Sequence, residues 1–210
     1  MIRCNLKTNE VFLYGVCGND RLTDCFSSSE VVQALDRLNG AKAVIRINSP
    51  GGVADEGIAI YNALKRYPGG VNTYNDAIAA SAASVIFLAG SKRFASKGSR
   101  VMIHNAMTLT IGNAHELQKM ASTLAKYDDS LVEIYGKYLK QSPTEIRHLM
   151  ENETWFNDHE SISAGLATGF EVATTAEPMV AAWFKNAPAA LAAKAKVHGM
   201  QALRYRNASL

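Results

Sequence analysis

The chain has few of the features that mark secreted, metal-binding or membrane-spanning proteins. Its 210 residues include only three cysteines, Cys4, Cys17 and Cys25, an odd number without metal-type spacing. This pattern predicts reduced thiols in a cytosol rather than disulfides or a redox centre. Polar residues interrupt the N-terminus, so no signal peptide is expected. The apolar run at residues 79–89 is too short to cross a bilayer. We therefore expect a cytoplasmic protein.

The chain also has little net charge, and its basic excess is confined to one end. The formal charge is +3 at pH 7, which is too small to argue for nucleic-acid binding. From Thr174 onward, five lysine and arginine residues stand against one glutamate. This region is also rich in alanine, so we expect a weakly helical appendage over 174–210 beside a single domain over 1–173. Contact of this tail with DNA or a capsid protein is left open.

Hydrophobic spacing alternates between strand and helix along the domain. Strands are predicted at 11–16, 43–47, 71–74 and 100–104, and helices at 28–39, 54–67, 81–89, 115–139, 143–150 and 160–166. Such alternation indicates an α/β fold with right-handed crossovers on a mainly parallel sheet. The helix at 115–139 has an apolar stripe that is expected to be interface or core. The stripe consists of Leu117, Met120, Leu124, Tyr127, Leu131, Ile134 and Tyr138.

Three short segments carry residue types that suit nucleophilic catalysis. The turn Asn48-Ser49-Pro50-Gly51-Gly52 follows a strand, and its glycines leave amides unobstructed for an oxyanion. Ser81 lies among alanines at a predicted helix start. His104 ends an apolar strand and is a candidate base, which a serine nucleophile requires.

Each segment also has an ordinary structural interpretation when it is taken alone. The two glycines could simply connect a strand to a helix. Ser81, or equally Ser84, could pack in a close helix contact. A single histidine at a strand end is more often structural than catalytic. The conjunction of all three segments favours the catalytic hypothesis.

In combination, residues 48–52, 79–81 and 99–104 resemble the Clp protease proteolytic subunit family (peptidase S14), and most closely its phage head-maturation or prohead protease branch. The resemblance spans about residues 11–172. It implies the Clp/crotonase-like α/β fold, with repeated ββα units, mainly parallel sheets and a handle at about 107–140. Within the handle, residues 107–111 match the family's strand and 115–139 its long helix.

The resemblance also implies the roles of individual residues. Ser81 matches the family's nucleophile and His104 its general base, while the amides of Gly52 and Ala82 match the oxyanion hole. Glu153 falls where the family has a triad aspartate; Asp158 is the runner-up for this role and Asn152 a weaker candidate. The alternative for Glu153 is a solvated surface charge. No metal ion or organic cofactor is expected.

The function implied is that of a serine endopeptidase, active in phage or prophage head maturation inside a bacterial host cell. Homo-oligomeric rings and protein substrates, including capsid or scaffold proteins, are expected from the resemblance. Because the sequence starts almost directly at the first strand, we expect activity without an ATPase unfoldase partner. Two alternatives stay open: a catalytically latent capsid-assembly scaffold and a crotonase-type acyl-CoA enzyme.

Overall fold

A computed structural model describes residues 2–18 and 24–171. Its strands are β1 (Arg3–Asn5), β2 (Glu10–Tyr14), β3 (Val16–Cys17), β4 (Cys25–Phe26), β5 (Ala43–Ser49), β6 (Val71–Ala80), β7 (Lys92–Ala95), β8 (Arg100–Ile103), β9 (Thr154–Asn157) and β10 (Gly169–Phe170). Its helices are α1 (Ser28–Arg37), α2 (Ala54–Arg66), α3 (Ala82–Phe87), α4 (Ala114–Tyr135), α5 (Pro143–Glu151) and α6 (Asp158–Ala164). The appendage predicted at 174–210 lies outside the described residues.

The main sheet is mostly parallel, as the alternation of strands and helices predicts. Its order is β1-β2-β5-β6-β7-β10, with antiparallel pairing at β1–β2. Strand β6 makes two parallel contacts in succession: Asn72–Asn75 pair with β7, and Ile78–Ala80 pair with β8. Strand β9 then adds to β8 in the antiparallel direction. This double pairing of β6 brings β8 beside the end of β6.

The core forms where the helices cover the sheet. In β5, buried and half-buried residues alternate along the whole strand, as expected when side chains point to opposite faces. Buried side chains from α2 and α3, including Ile60, Leu64, Ile86 and Phe87, pack with Ile45 of β5 in this core. Burial of this apolar surface is the main stabilising contribution to the fold.

Two of the predicted segments differ from the observed secondary structure, and five short strands, β1, β4, β7, β9 and β10, were not predicted. Strand β6 runs on to Ala80, where a strand ending at 74 and a helix starting at 81 were predicted. The alanines at 77, 79 and 80 have weak strand propensity, but parallel pairing with β8 outweighs it. The prediction of a handle strand at 107–111 is wrong, because residues 104–113 form no regular element. The segment pairs with no strand of the described residues, and Leu109 and Ile111 are almost fully exposed.

The handle helix is otherwise as expected, with small differences at its ends. Helix α4 begins at a capping box in which Asn113 and Glu116 exchange hydrogen bonds with each other's backbone amide. It ends at Tyr135, with Gly136 as the cap residue, a few residues before the predicted end at 139. A similar box between Ser27 and Glu30 starts α1 where the sequence predicts it.

Candidate active site

The candidate nucleophile lies at a sharp turn between β6 and α3. Ser81 has φ 54° and ψ −126°, a conformation that a residue with a side chain rarely adopts. Its amide donates to the carbonyl of Met102 in β8 at 3.0 Å. A Cβ added to Gly51 would lie 2.6 Å from the Cβ of Ser81. The glycine therefore permits the close approach that this turn requires.

The candidate base stands opposite the serine because β6 and β8 are parallel neighbours. His104 directly follows β8, just as Ser81 directly follows β6. The carboxyl ends of the two strands therefore meet at the same edge of the sheet. His104 Nε2 lies 2.7 Å from Ser81 Oγ, which is hydrogen-bond distance. In this arrangement the imidazole can accept the hydroxyl proton.

Two residues that line the same cleft as the serine have backbone amides without a described backbone acceptor. Gly52 is exposed, has φ 147°, and donates to no other described backbone group. Its turn is fixed by hydrogen bonds on both sides: Cys17 donates to Gly51, and Val53 donates to Cys17, both at 2.7 Å. Ala82 is the first residue of α3, so its N–H has no acceptor within the helix. Both amides are available to an oxyanion.

The cleft is a cavity of about 520 Å³ with a largely apolar wall. Gly52, Ser81, Ala82 and His104 all line it. The apolar part of the wall comes from α2, α3 and α4 and from the segments before them: Val53, Ile58, Val85, Met107, Met120, Leu124 and Leu131. Such a wall suits an apolar side chain of an extended substrate.

One hydrogen bond joins the two helices that flank this cavity. The hydroxyl of Tyr127 in α4 donates to the carboxylate of Asp55 in α2, at 2.9 and 3.1 Å from its two oxygens. This bond raises the pKa of Tyr127 above its usual value. The sequence places Tyr127 in the apolar stripe of the helix, and nothing in that pattern indicates the contact with Asp55.

The third triad candidate is near His104 in the strand register but is not bonded to it. Antiparallel pairing places Ile103 opposite Thr154, so His104 and Glu153 are the next residues along. Glu153 is exposed, has φ 47°, and its carboxylate accepts from Trp155 Nε1 at 3.2 Å. No described hydrogen bond joins Glu153 to His104, and the role of Glu153 stays a prediction.

The two other acid-position candidates make different local contacts. Asp158 accepts from the amides of Gly98 and His159, at 2.8 and 2.9 Å. The Gly98 contact is the main cause that lowers the pKa of Asp158 below its usual value. Asn152 donates from its side chain to the carbonyl of His148 at 2.7 Å. Neither side chain is hydrogen-bonded to His104 in the described structure.

Sequence reasoning missed a buried contact directly behind the nucleophile. Ser84 donates to the carbonyl of Ser81 and is also bonded to the hydroxyl of Tyr135. Ser84 does pack in a helix contact, as the structural interpretation of this serine proposed. Tyr135 lies outside the apolar stripe predicted for the handle helix, so no sequence pattern pointed to this pair.

Over residues 2–18 and 24–171, no group of three or more histidine, cysteine, aspartate or glutamate side chains is placed to hold a metal ion. In the same residues, no helix combines the length and apolar character needed to span a membrane.

The fold is of the Clp/crotonase-like α/β class. A solved ClpP1 variant from Listeria monocytogenes aligns with a TM-score of 0.68 at 24% identity, covering 79% of this chain and 92% of that one. At this identity the likeness establishes the fold alone.

Sequence comparison identifies the family. The Clp protease family model matches residues 6–174. The ATP-dependent Clp protease proteolytic subunit 1 of Protochlamydia amoebophila is 32% identical over 151 residues, which cover 68% of this chain and 73% of that protein. The subunit of the same name from Chlamydia muridarum is also 32% identical, over 68% of this chain and 79% of its own length. This chain belongs to the Clp protease family.

Proposed function

We propose that this protein is a serine endopeptidase whose nucleophile is Ser81. The observation that carries the proposal is the 2.7 Å separation between Ser81 Oγ and His104 Nε2, at the edge of a cavity large enough for substrate side chains. A serine hydroxyl is a weak nucleophile unless a base takes its proton. The family membership adds support, because the named relatives are protease subunits.

The proposed reaction uses Ser81 and His104 in two stages, acylation of the serine and then deacylation. His104 Nε2 takes the proton as Ser81 Oγ attacks the peptide carbonyl, and the amides of Gly52 and Ala82 stabilise the resulting oxyanion. The imidazolium then gives its proton to the leaving amine as the C–N bond breaks. Water, deprotonated by His104, attacks the acyl-enzyme; the proton passes to Ser81 Oγ as the acid product leaves.

Glu153 is proposed to orient the imidazole. Residues directly opposite in an antiparallel pair have Cβ atoms about 4.5–5.5 Å apart. His104 directly follows Ile103, and Glu153 directly precedes Thr154, with which Ile103 is paired. We propose that a rotation of the Glu153 side chain away from Trp155 brings its carboxylate to His104 Nδ1. An acceptor at Nδ1 selects the tautomer in which Nε2 can act as base.

The finer parts of the proposal concern biological setting. We propose activity on protein substrates without an ATPase unfoldase, in phage or prophage head maturation, by a homo-oligomeric ring. The sequence resemblance supports this setting, whereas the named relatives are bacterial subunits called ATP-dependent. Cleavage of an unfolded protein by the purified chain, with no nucleotide and no second protein, would support it. Cleavage that requires an added unfoldase would contradict it.

A latent assembly scaffold is the second candidate function. One observation favours it: the carboxylate of Glu153 is bonded to Trp155 and not to His104. A serine and histidine without an orienting acid keep only part of their catalytic power. Failure of the folded protein to react with a serine-directed probe would support this alternative.

The experiment that tests the proposal is labelling with a fluorophosphonate, which reacts with activated serines. We expect one adduct at Ser81, located by mass spectrometry, and its loss in Ser81→Ala and His104→Ala. Peptide hydrolysis should fall in both variants by about 10⁴- to 10⁶-fold. Ser163→Ala, at an exposed serine, is the control and should label as the wild type does. Full labelling of His104→Ala would contradict the proposal, and an adduct at Ser81 would exclude the acyl-CoA alternative.

A further inference from the structure

Two buried hydroxyls connect the handle helix to the nucleophile. Ser84 Oγ in α3 donates to the carbonyl oxygen of Ser81 at 2.6 Å, and the hydroxyl of Tyr135 in α4 lies 2.7 Å from Ser84 Oγ. A hydroxyl has one proton to donate. Because Ser84 gives its proton to Ser81, Tyr135 must be the donor to Ser84. The direction of the whole chain, Tyr135 to Ser84 to Ser81, is therefore fixed.

This chain of hydrogen bonds is shielded from water. Ser84 is 0% exposed and Tyr135 is 1% exposed. Hydrogen bonds are electrostatically stronger in such surroundings, and an unpaired hydroxyl there is costly. Burial also raises the pKa of Tyr135 to about 12, so the hydroxyl keeps its proton at neutral and mildly alkaline pH.

The acceptor belongs to the peptide group that matters most for the proposed chemistry. The carbonyl of Ser81 and the amide of Ala82 form one planar trans peptide, so their directions are tied together. Holding the carbonyl oxygen on the protein side directs the Ala82 N–H to the opposite side. The Ser84 amide also donates to the same carbonyl, at 2.9 Å. The residue thus held is the one with the uncommon φ of 54°.

We propose that Tyr135 and Ser84 are positioning residues that fix the Ser81–Ala82 peptide for oxyanion binding. This inference rests on the proposed function, since it assigns the Ala82 amide to the oxyanion. Neither side chain touches the reacting atoms; both act through the Ser81 carbonyl. Because Tyr135 lies in α4, the two hydrogen bonds also couple the orientation of the Ser81–Ala82 peptide to the position of that helix.

A purely structural role predicts a different kinetic pattern. Serine side chains near helix starts often bond a carbonyl three residues back, with no catalytic consequence. Loss of such a bond would lower stability and leave kcat unchanged in the protein that remains folded. A positioning role instead lowers kcat with KM nearly constant, because the oxyanion forms only in the transition state.

The test compares Ser84→Ala and Tyr135→Phe with Tyr138→Phe as the matched control. Tyr138 also shares a hydroxyl–hydroxyl hydrogen bond, with Tyr61 at 3.1 Å, and that bond does not reach Ser81. We expect kcat to fall about tenfold in Ser84→Ala, less than the 10²- to 10³-fold loss that follows removal of an oxyanion donor. Tyr135→Phe should lose less than Ser84→Ala, KM should stay within about twofold, and Tyr138→Phe should match the wild type.

Conservative replacement and a stability cycle complete the test. Ser84→Thr keeps a hydroxyl that can bond the same carbonyl, and should recover most of the kcat lost in Ser84→Ala. Unfolding midpoints of Ser84→Ala, Tyr135→Phe and the double variant, at one protein concentration, should be non-additive. Additive midpoints, or unchanged kcat in both single variants, would overturn the inference. If the wild type neither labels nor cleaves, the proposed function fails, and the stability cycle alone decides whether the contact exists.

Discussion

The candidate triad has two parts that are built in different ways: the Ser81–His104 pair and the acid, Glu153. Ser81 and His104 each follow a parallel strand, and the residues just before them, Ala80 and Ile103, are buried. Glu153 instead precedes an antiparallel edge strand, on an exposed turn. The sheet therefore fixes the nucleophile and base within one chain. The position of the acid depends on the rotamer of one solvated side chain, whose ordering has an entropic cost.

Apart from the loss of Ser81 or His104 itself, the largest expected effect comes from the backbone turn that supports the Ser81–His104 pair. Gly52→Ala would place a Cβ 2.0 Å from the carbonyl oxygen of Cys17, at a φ of 147°. The backbone must shift, which moves the oxyanion amide away from the cleft. We expect peptide hydrolysis to fall at least 10²- to 10³-fold, together with a lower unfolding temperature. The rate of hydrolysis and the melting curve are the measurements.

Gly70→Ala is the control for this prediction. Gly70 also has a positive φ, 73°, but a Cβ there would meet nothing within 4 Å. This variant should lose a little stability and keep its activity. Equal loss of activity in the two variants would show that backbone strain alone, rather than displacement of the Gly52 amide, explains the effect.

The contrast between the Ser81–His104 pair, which the sheet positions, and the solvated Glu153 also explains which parts of the site the sequence could predict. Strand–helix alternation predicts the mainly parallel sheet, whereas the roles of Ser81 and His104 are implied by the family resemblance. The structure gives the physical reason for their proximity, because each residue follows a parallel strand and the carboxyl ends of these strands meet at one edge of the sheet. The glycines at 51 and 52 predict the turn from the sequence alone, without knowledge of the residues that pack against it. These parts of the site depend on backbone order, which local patterns encode.

Contacts between side chains distant in the sequence could not be predicted in this way. Ser84 and Tyr135 are 51 positions apart, and only the packing of α3 against α4 brings them together. The strand that the resemblance implies at 107–111 is absent for a related reason, because a strand needs a second strand to pair with and the described residues supply none for this segment. Neither the hydrophobic periodicity of a segment nor its residue types show which distant side chain or strand it will contact.

An intermediate loss of activity is expected from changes to Glu153, the solvated member of the candidate triad. Glu153→Gln removes the charge that would favour the imidazolium, so kcat should fall by at least about tenfold but by less than the 10⁴-fold seen for a buried triad aspartate. Glu153→Asp keeps the charge and should retain more activity than Glu153→Gln. Asp158→Asn is the matched control and should stay within about twofold of the wild type. A larger loss in Asp158→Asn would exchange the roles of the two acids.

The smallest expected effect concerns the pH dependence of stability at Asp158. Its hydrogen bond from the Gly98 amide lowers the pKa of the folded state below the unfolded value. The ionised carboxylate therefore stabilises the fold above the unfolded pKa of about 3.9, and this contribution is lost as the pH falls through the folded pKa. Asp158→Asn should be slightly less stable than the wild type at pH 7, with the two unfolding midpoints converging below pH 4. A difference that persists unchanged in acid would show that the Gly98 contact does not depend on the charge. Because the hydrogen bonds described for Asp158 go to Gly98 and His159 and not to His104, this variant should change the stability while the Ser81–His104 pair keeps its activity.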